Sequence, residues 1–447
     1  MKIISISFII LFYTGAYSQV SWSATEFPKK DSLLENIKYI HSNQIEKYEN
    51  KKALEKVYEW RFNYVKHLLE TKAILYNDSL YQYVDFIFSH IIKSNSNLKS
   101  LELRYFISNS PNPNAISLGD GTFIVNLGLI RKLENEGQLA FIICHEIAHF
   151  YLDHSNQSAI DRYVKTHSKE HKKEIKSIAN QRFGRYEILK SMIKKNLYVE
   201  MTHTRQHETE ADSLGLIFLR NTIYDHAQSI TCMNLLDSID YYKYHKEINY
   251  IKNLSFEKYP FRKRWLESET IMFGGHIENN YWERDSIKSH PDSKTRANSL
   301  KNSLLGTEAK PSNKFLQDST YFNLLKDQAD LEFINSWVFY GDYGHALFFS
   351  LKHLEYEPNN KYLLLKSSHL FRLIYDSQVN HQFSQHIDRP SSENEKEYNH
   401  FLDFLDNIRT TELANIAYHY HLSQLELLRN DETFFDDYNY FKTKTGN

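Results

Sequence analysis

CHEIAHFYLDH, residues 144–154, and THTRQHETEADSLG, residues 202–215, are the two stretches whose reading decides the fold. Around the first, Leu139, Ile142, Ile143, Ile147 and Tyr151 recur at helical intervals, which predicts a helix from Asn135 to Asp153. A helix returns to the same face after four residues, so His145 and His149 project side by side and offer two imidazole nitrogens to one ion. Glu146, beside them, is the residue type that takes a proton from water activated by such an ion. The donors suit Zn2+, one per chain, and a third donor has to come from another element.

His154 does not meet that need. The metzincin arrangement asks for glycine at 152 and histidine at 155, where this sequence has Leu152 and Ser155, so His154 is off register. The second stretch supplies a better donor. It predicts a helix from about Thr204 to Arg220 whose Glu208, Ala211, Asp212 and Gly215 share one face. Small Ala211 and Gly215 let this helix approach the first closely, and Glu208 then reaches the ion. Asp212, one turn on, is placed to accept the N–H of a ligand imidazole, His145 in the first instance, and so to fix its tautomer.

The rest of the chain bounds what surrounds this constellation. At 447 residues it exceeds one ordinary domain, and a formal charge of -2 gives no whole-protein field for nucleic acid or an anionic membrane. Only 13 Gly and 8 Pro, with 25% charged residues, favour long helices over turn-rich barrels. The expected fold is mainly α with a small β-sheet. MKIISISFIILFYTGAYSQ has a basic Lys2, an apolar run from Ile3 to about Phe12 and small residues at Ala16 and Ser18, the pattern of a signal peptide over 1–18. Export to a periplasm, to an outer-membrane surface or to the medium is therefore expected. No later stretch is apolar enough to span a bilayer in the mature chain. Cys144 and Cys232 are expected as buried free thiols.

Residues 19–76 read as an N-terminal helical segment. LELRYFIS, 101–108, alternates as a strand; SPNPNAISLGDG, 110–121, supplies turn signals; TFIVNLGLI, 122–130, reads as a second strand. Residues 156–200 are polar and locally basic, a solvated helical excursion or a surface for an anionic partner. After about Thr307 the text is helical. GDYGHALFFSLKHLEYEPNN, 341–360, places Gly341, Tyr343, Ala346 and Pro358 where a tetratricopeptide unit places its small, aromatic and terminating residues. The expected units are 77–305 around the metal motif and a helical, tetratricopeptide-like domain over 306–447.

HEIAH with His154 five residues on, TRQHETEADSLG, PNPNAISLGDGTFIVNLGLI upstream and SHPDSKTR downstream together resemble the HtpX and BepA branch of gluzincin zinc metallopeptidases, relatives of the CAAX prenyl protease. The likeness covers about residues 77 to 300. It departs at Ala148, where glycine is commoner, and in lacking spanning segments, which favours the soluble BepA-like branch. The resemblance implies a zincin-type domain with His145, His149 and Glu208 as zinc ligands and Glu146 as base. It also implies that Thr122, Phe123, Ile124, Val125 and Asn126 form an edge strand along which substrate backbone is laid.

His290 and Arg296 match an H-P-x-x-x-x-R element. His290 is then an oxyanion donor assisted by Arg296, a fourth ligand that closes the site, or a turn cap. The implied activity is an exported zinc endopeptidase acting on unfolded or misassembled proteins, with the C-terminal helices recruiting substrate or an envelope protein. The rival is a helical-repeat chaperone or assembly scaffold with a latent, His290-closed zinc site.

Overall fold

The computed structural model describes residues 27–76, 78–169, 173, 204–237, 246–267, 293–305, 313–317, 319–391 and 394–446. The expected signal peptide, His290 and most of the basic excursion lie outside them. The described chain is mainly helical around one small sheet, as expected.

Strands β1 (Arg104–Ser108), β2 (Ala115–Ser117) and β3 (Thr122–Asn126) form a sheet in the order β1-β3-β2. β3 runs parallel to β1 and antiparallel to β2. This corrects the expectation that Thr122–Asn126 is an edge: both of its sides are paired, and every residue in it is buried. The edge is β2. Its three residues sit inside text rich in Pro, Asn and Gly that reads only as turn. Gly119 and Gly121, at φ 79° and 88°, bend the chain tightly enough to bring it back on itself. Leu127–Ile130, expected to continue a strand, is instead a short helix.

The pleat sends alternate side chains to the two faces of the sheet. Phe106 and Ile124 meet Ile37, Val65 and Leu68 from the helices Lys30–Ile45 and Lys51–Glu70, which cover one face. Ile107, Phe123 and Val125 face the main core, where Val84, Ile87 and Ile91 of Asp78–Ser94 meet Leu139, Ile143 and Ile147. Those last three belong to Glu136–Tyr151, hereafter the His helix.

A second core lies in the C-terminal array of Tyr343–Leu354, Lys361–Val379, Lys396–Asn407, Thr410–Leu428 and Glu432–Thr445. Phe348, Phe371, Phe401 and Phe441 are fully buried there, together with Leu254 and Trp265 from far upstream. The helix Ser319–Phe339 serves both cores: Phe322, Leu325 and Ala329 join the first, and Phe333 and Ile334 the second. The two cores therefore do not divide the chain at a single point.

Candidate active site

The His helix is held at its start. Asn135 caps it by accepting from the Gln138 N–H at 3.0 Å. Glu136, fully buried in the first turn, accepts from the Tyr83 hydroxyl at 2.5 Å, from the Tyr224 hydroxyl, and from the Leu316 N–H at 3.2 Å. Two turns on, the helix over residues 204–220 crosses it. A Cβ placed on Gly215 would lie 3.0 Å from His145 Cα, so the missing side chain sets the separation. Ala211, fully buried, shares that face.

This crossing brings together the residues expected as ligands. His145 Nε2 and His149 Nε2 are 3.0 Å apart, and the Glu208 oxygens lie 3.5 and 3.4 Å from them. The three donor atoms fall within 4.8 Å of one another. Asp212 Oδ1 stands 3.0 Å from His145 Nδ1. Arg296, from the helix Ser293–Leu304, grips Asp212 with Nε and Nη2, each at 2.7 Å, and places Nη1 3.0 Å from Glu208. Its guanidinium is thus engaged by carboxylates behind the ligands. Glu146 follows His145 on the same helix and is buried at 8% exposure. Cys144 and Cys232 are free and buried.

The electrostatics favour a cation. Burial alone would lower the pKa of His145, but Asp212 and Glu208 outweigh it and hold it up at about 10. Burial likewise opposes ionisation of Asp212, yet hydrogen bonds from Arg296 and His145 keep its pKa below the ordinary value. Two inward imidazole nitrogens beside a buried carboxylate are the donor set of a catalytic zinc site, and a metal ion satisfies the pocket's demand for positive charge.

His154, set aside by register, is the residue that sequence reasoning missed. Its Nδ1 lies 3.0 Å from His149 Nδ1 and its Nε2 lies 3.1 Å from Glu210 Oε2. Its ring stacks on His207 with centroids 4.1 Å apart. Burial and the His207 and His149 rings push its pKa down to about 4 against the pull of Glu210, so it is neutral near pH 7. The sequence signal was Asp153, a residue type that tolerates the left-handed turn it adopts here at φ 61°.

Residues 79–304, just over half of the chain, match the family model for Peptidase family M48. A stretch of 86 residues is 26% identical to the beta-barrel assembly-enhancing protease of Yersinia pestis, covering 19% of this chain and 18% of that protein. Another comparison, over 85 residues, gives 33% identity to mitochondrial metalloendopeptidase OMA1 of Bos taurus, covering 18% of this chain and 16% of that protein. The similarity thus spans less than a fifth of either relative. By the family match, with the donor cluster inside it, the chain belongs to peptidase family M48.

Proposed function

We propose that the chain is an endopeptidase of unfolded or misassembled proteins working outside the cytoplasm, with His145, His149 and Glu208 as its zinc ligands. The observation that carries this reading is the convergence of those three donors on two crossed helices, backed by Asp212 and Arg296. Zinc, when bound, supplies Lewis acidity to water and to the scissile carbonyl. Glu146 takes the proton of the attacking water on its carboxylate and passes it to the leaving amine. Asp212 Oδ1, 3.0 Å from His145 Nδ1, is placed to take its N–H and so to direct Nε2 inward. Arg296 balances the charge of Asp212 and Glu208 and orients them. That role replaces the oxyanion-facing one expected for it, because its three nitrogens already lie on these carboxylates. For His290 the oxyanion and fourth-ligand roles both carry over from the sequence.

Substrate backbone is assigned to β2. Asn126 N–H donates to the Asn114 carbonyl and Leu118 N–H to the Thr122 carbonyl, so antiparallel alternation turns the backbone groups of Ala115 and Ser117 outward. An extended peptide added there pairs through its main chain with little demand on sequence. That suits unfolded substrates. Export rests on the pattern of residues 1–18; among the described residues no helix is long and apolar enough to cross a membrane. The name of the Yersinia pestis relative supports a role in beta-barrel assembly, with the C-terminal helices recruiting the partner or substrate.

Cleavage of unfolded casein by the zinc-loaded chain tests the reading. Glu146→Gln is expected to keep its zinc and lose about two to four orders of magnitude in turnover. Equal zinc in both proteins with no cleavage by the wild type would replace this reading with the scaffold one.

A further inference from the structure

We infer that His154, backed by Glu210, is the positioning residue of His149: it accepts the His149 Nδ1 proton and leaves Nε2 to face the metal. The inference rests on the reading of His149 as a zinc ligand.

The hydrogen-bond arithmetic allows one arrangement. For His149 to present an Nε2 lone pair, its proton must sit on Nδ1, and an acceptor must meet it there. The atom 3.0 Å away is His154 Nδ1, which accepts only when the His154 proton is on Nε2. Glu210 Oε2, 3.1 Å from that Nε2, is the carboxylate that draws the proton to it. Glu210 is oriented in turn by Gln206, which donates to its Oε1 at 2.9 Å. His145 is held by a carboxylate directly, whereas His149 is held by a carboxylate acting through an imidazole. Glu210 and Glu208 belong to the same helix, so one element supplies both a ligand and the far end of this relay.

The chain is shaped to put His154 there. Between the His helix and the helix His154–His167, Asp153 takes a left-handed conformation that swings His154 back over the last turn. The Asp153 carboxylate accepts from the Tyr48 hydroxyl and from the Asn156 amide, both at 2.7 Å. Asn156 Oδ1 accepts from Arg61 at 2.6 Å, so the turn is fixed by the N-terminal helices. Stacking on His207 sets the plane of the ring, and 4% exposure keeps water from competing for Nδ1.

The test is zinc affinity of the full chain, measured by competition with a chelator. His154→Leu, which offers no acceptor, is expected to raise the zinc Kd about 10- to 100-fold, while His154→Asn, whose Oδ1 can stand near the Nδ1 position, recovers most of it. Glu210→Ala, at a half-exposed site where folding is safe, is expected to raise Kd about three- to tenfold. Thermal melts of the metal-free proteins separate this from a structural role, which would lower Tm in the leucine and asparagine variants and leave Kd unordered between them. Equal zinc affinity in wild type and His154→Leu, or equal losses in the leucine and asparagine variants, overturns the inference. His149→Ala serves as the control on the underlying reading: if it keeps full zinc affinity, the ligand assignment itself fails, and if it loses zinc while the His154 variants do not, only the present inference falls.

Discussion

At the scale of single residues, Asp120 ties the first helix and β1 to the turn before β3. It is fully buried, yet its carboxyl is held well below the ordinary carboxylate range. Burial alone would raise it; the His41 hydrogen bond at 2.6 Å, the Arg104 charge at 3.0 Å and the Thr122 N–H overturn that. A depressed folded-state pKa means that its stabilising contribution is complete above the unfolded value of about 4 and is lost as pH falls below it toward the folded value. Unfolding free energies of wild type and Asp120→Asn should therefore differ most near neutral pH, with the gap shrinking as pH is lowered below about 4. A gap that stays constant down to pH 3 would show that Asp120 gains nothing from its charge. None of this was legible in the sequence, because His41, Arg104 and Asp120 come from three separate elements. The motif residues His145, His149, Glu208 and Asp212 were legible because helical spacing alone puts each pair on one face. His154 was not, since the turn at Asp153 breaks the period that spacing arguments rely on.

At the scale of elements, helices were read more closely than strands. The helix over 204–220 coincides with the expected one, since its small and acidic residues repeat at helical intervals over several turns. In the sheet, buried TFIVN was readable as a strand, but its neighbours were not, because pairing partners are not encoded in a strand's own alternation. β2 has three residues, too few for a period to register, and it lies in text dominated by turn formers. Its position as the edge makes a specific claim about substrate. Ser117→Pro removes an outward N–H and leaves the β2–β3 ladder intact, since Pro is tolerated on an edge where the N–H faces away from the sheet. The variant is expected to raise KM for unfolded casein about tenfold, roughly the 1.4 kcal/mol of one lost main-chain hydrogen bond, with zinc content and melting temperature nearly unchanged. Unaltered KM would remove β2 from the substrate path.

At the scale of the whole molecule, the family match ends at residue 304, but the packing that supports it does not. Residues 246–267, within the match, are bound into the C-terminal array: Glu412 accepts from Arg262 and Arg264, each at 2.6 Å, and from the Trp265 indole at 3.2 Å. Asn249 N–H donates to Glu355 at 2.8 Å, and buried Lys352 pairs with Glu397, which also accepts from Ile248 N–H. The partners that tie 246–267 to the array lie roughly a hundred or more residues apart in the chain, and nothing in the text of either segment announces the other. The dependence also reaches the helix that carries the site, because the Lys314 carbonyl accepts from Gly137 N–H, and Leu316 and Gln317 N–H groups donate to Glu136 at the start of the His helix. Removing everything after residue 305 therefore does more than delete a recruiting domain. It uncovers Ile248, Leu254 and Trp265, takes Phe322, Leu325 and Ala329 out of the first core, and leaves Glu136 without two of its donors. Each large apolar side chain returned to water costs about 1.5–3 kcal/mol, so uncovering Ile248, Leu254 and Trp265 alone takes up much of the roughly 5–15 kcal/mol that a domain usually has to spare. The truncated chain is expected to aggregate or to melt without a cooperative transition, and to bind zinc far more weakly than the full chain. Size-exclusion chromatography, near-ultraviolet circular dichroism and chelator competition would read all three. A soluble monomer with a sharp melt and full zinc affinity would instead make residues 27–305 a self-sufficient peptidase and reduce the contacts of 246–267 with the C-terminal array to a tether.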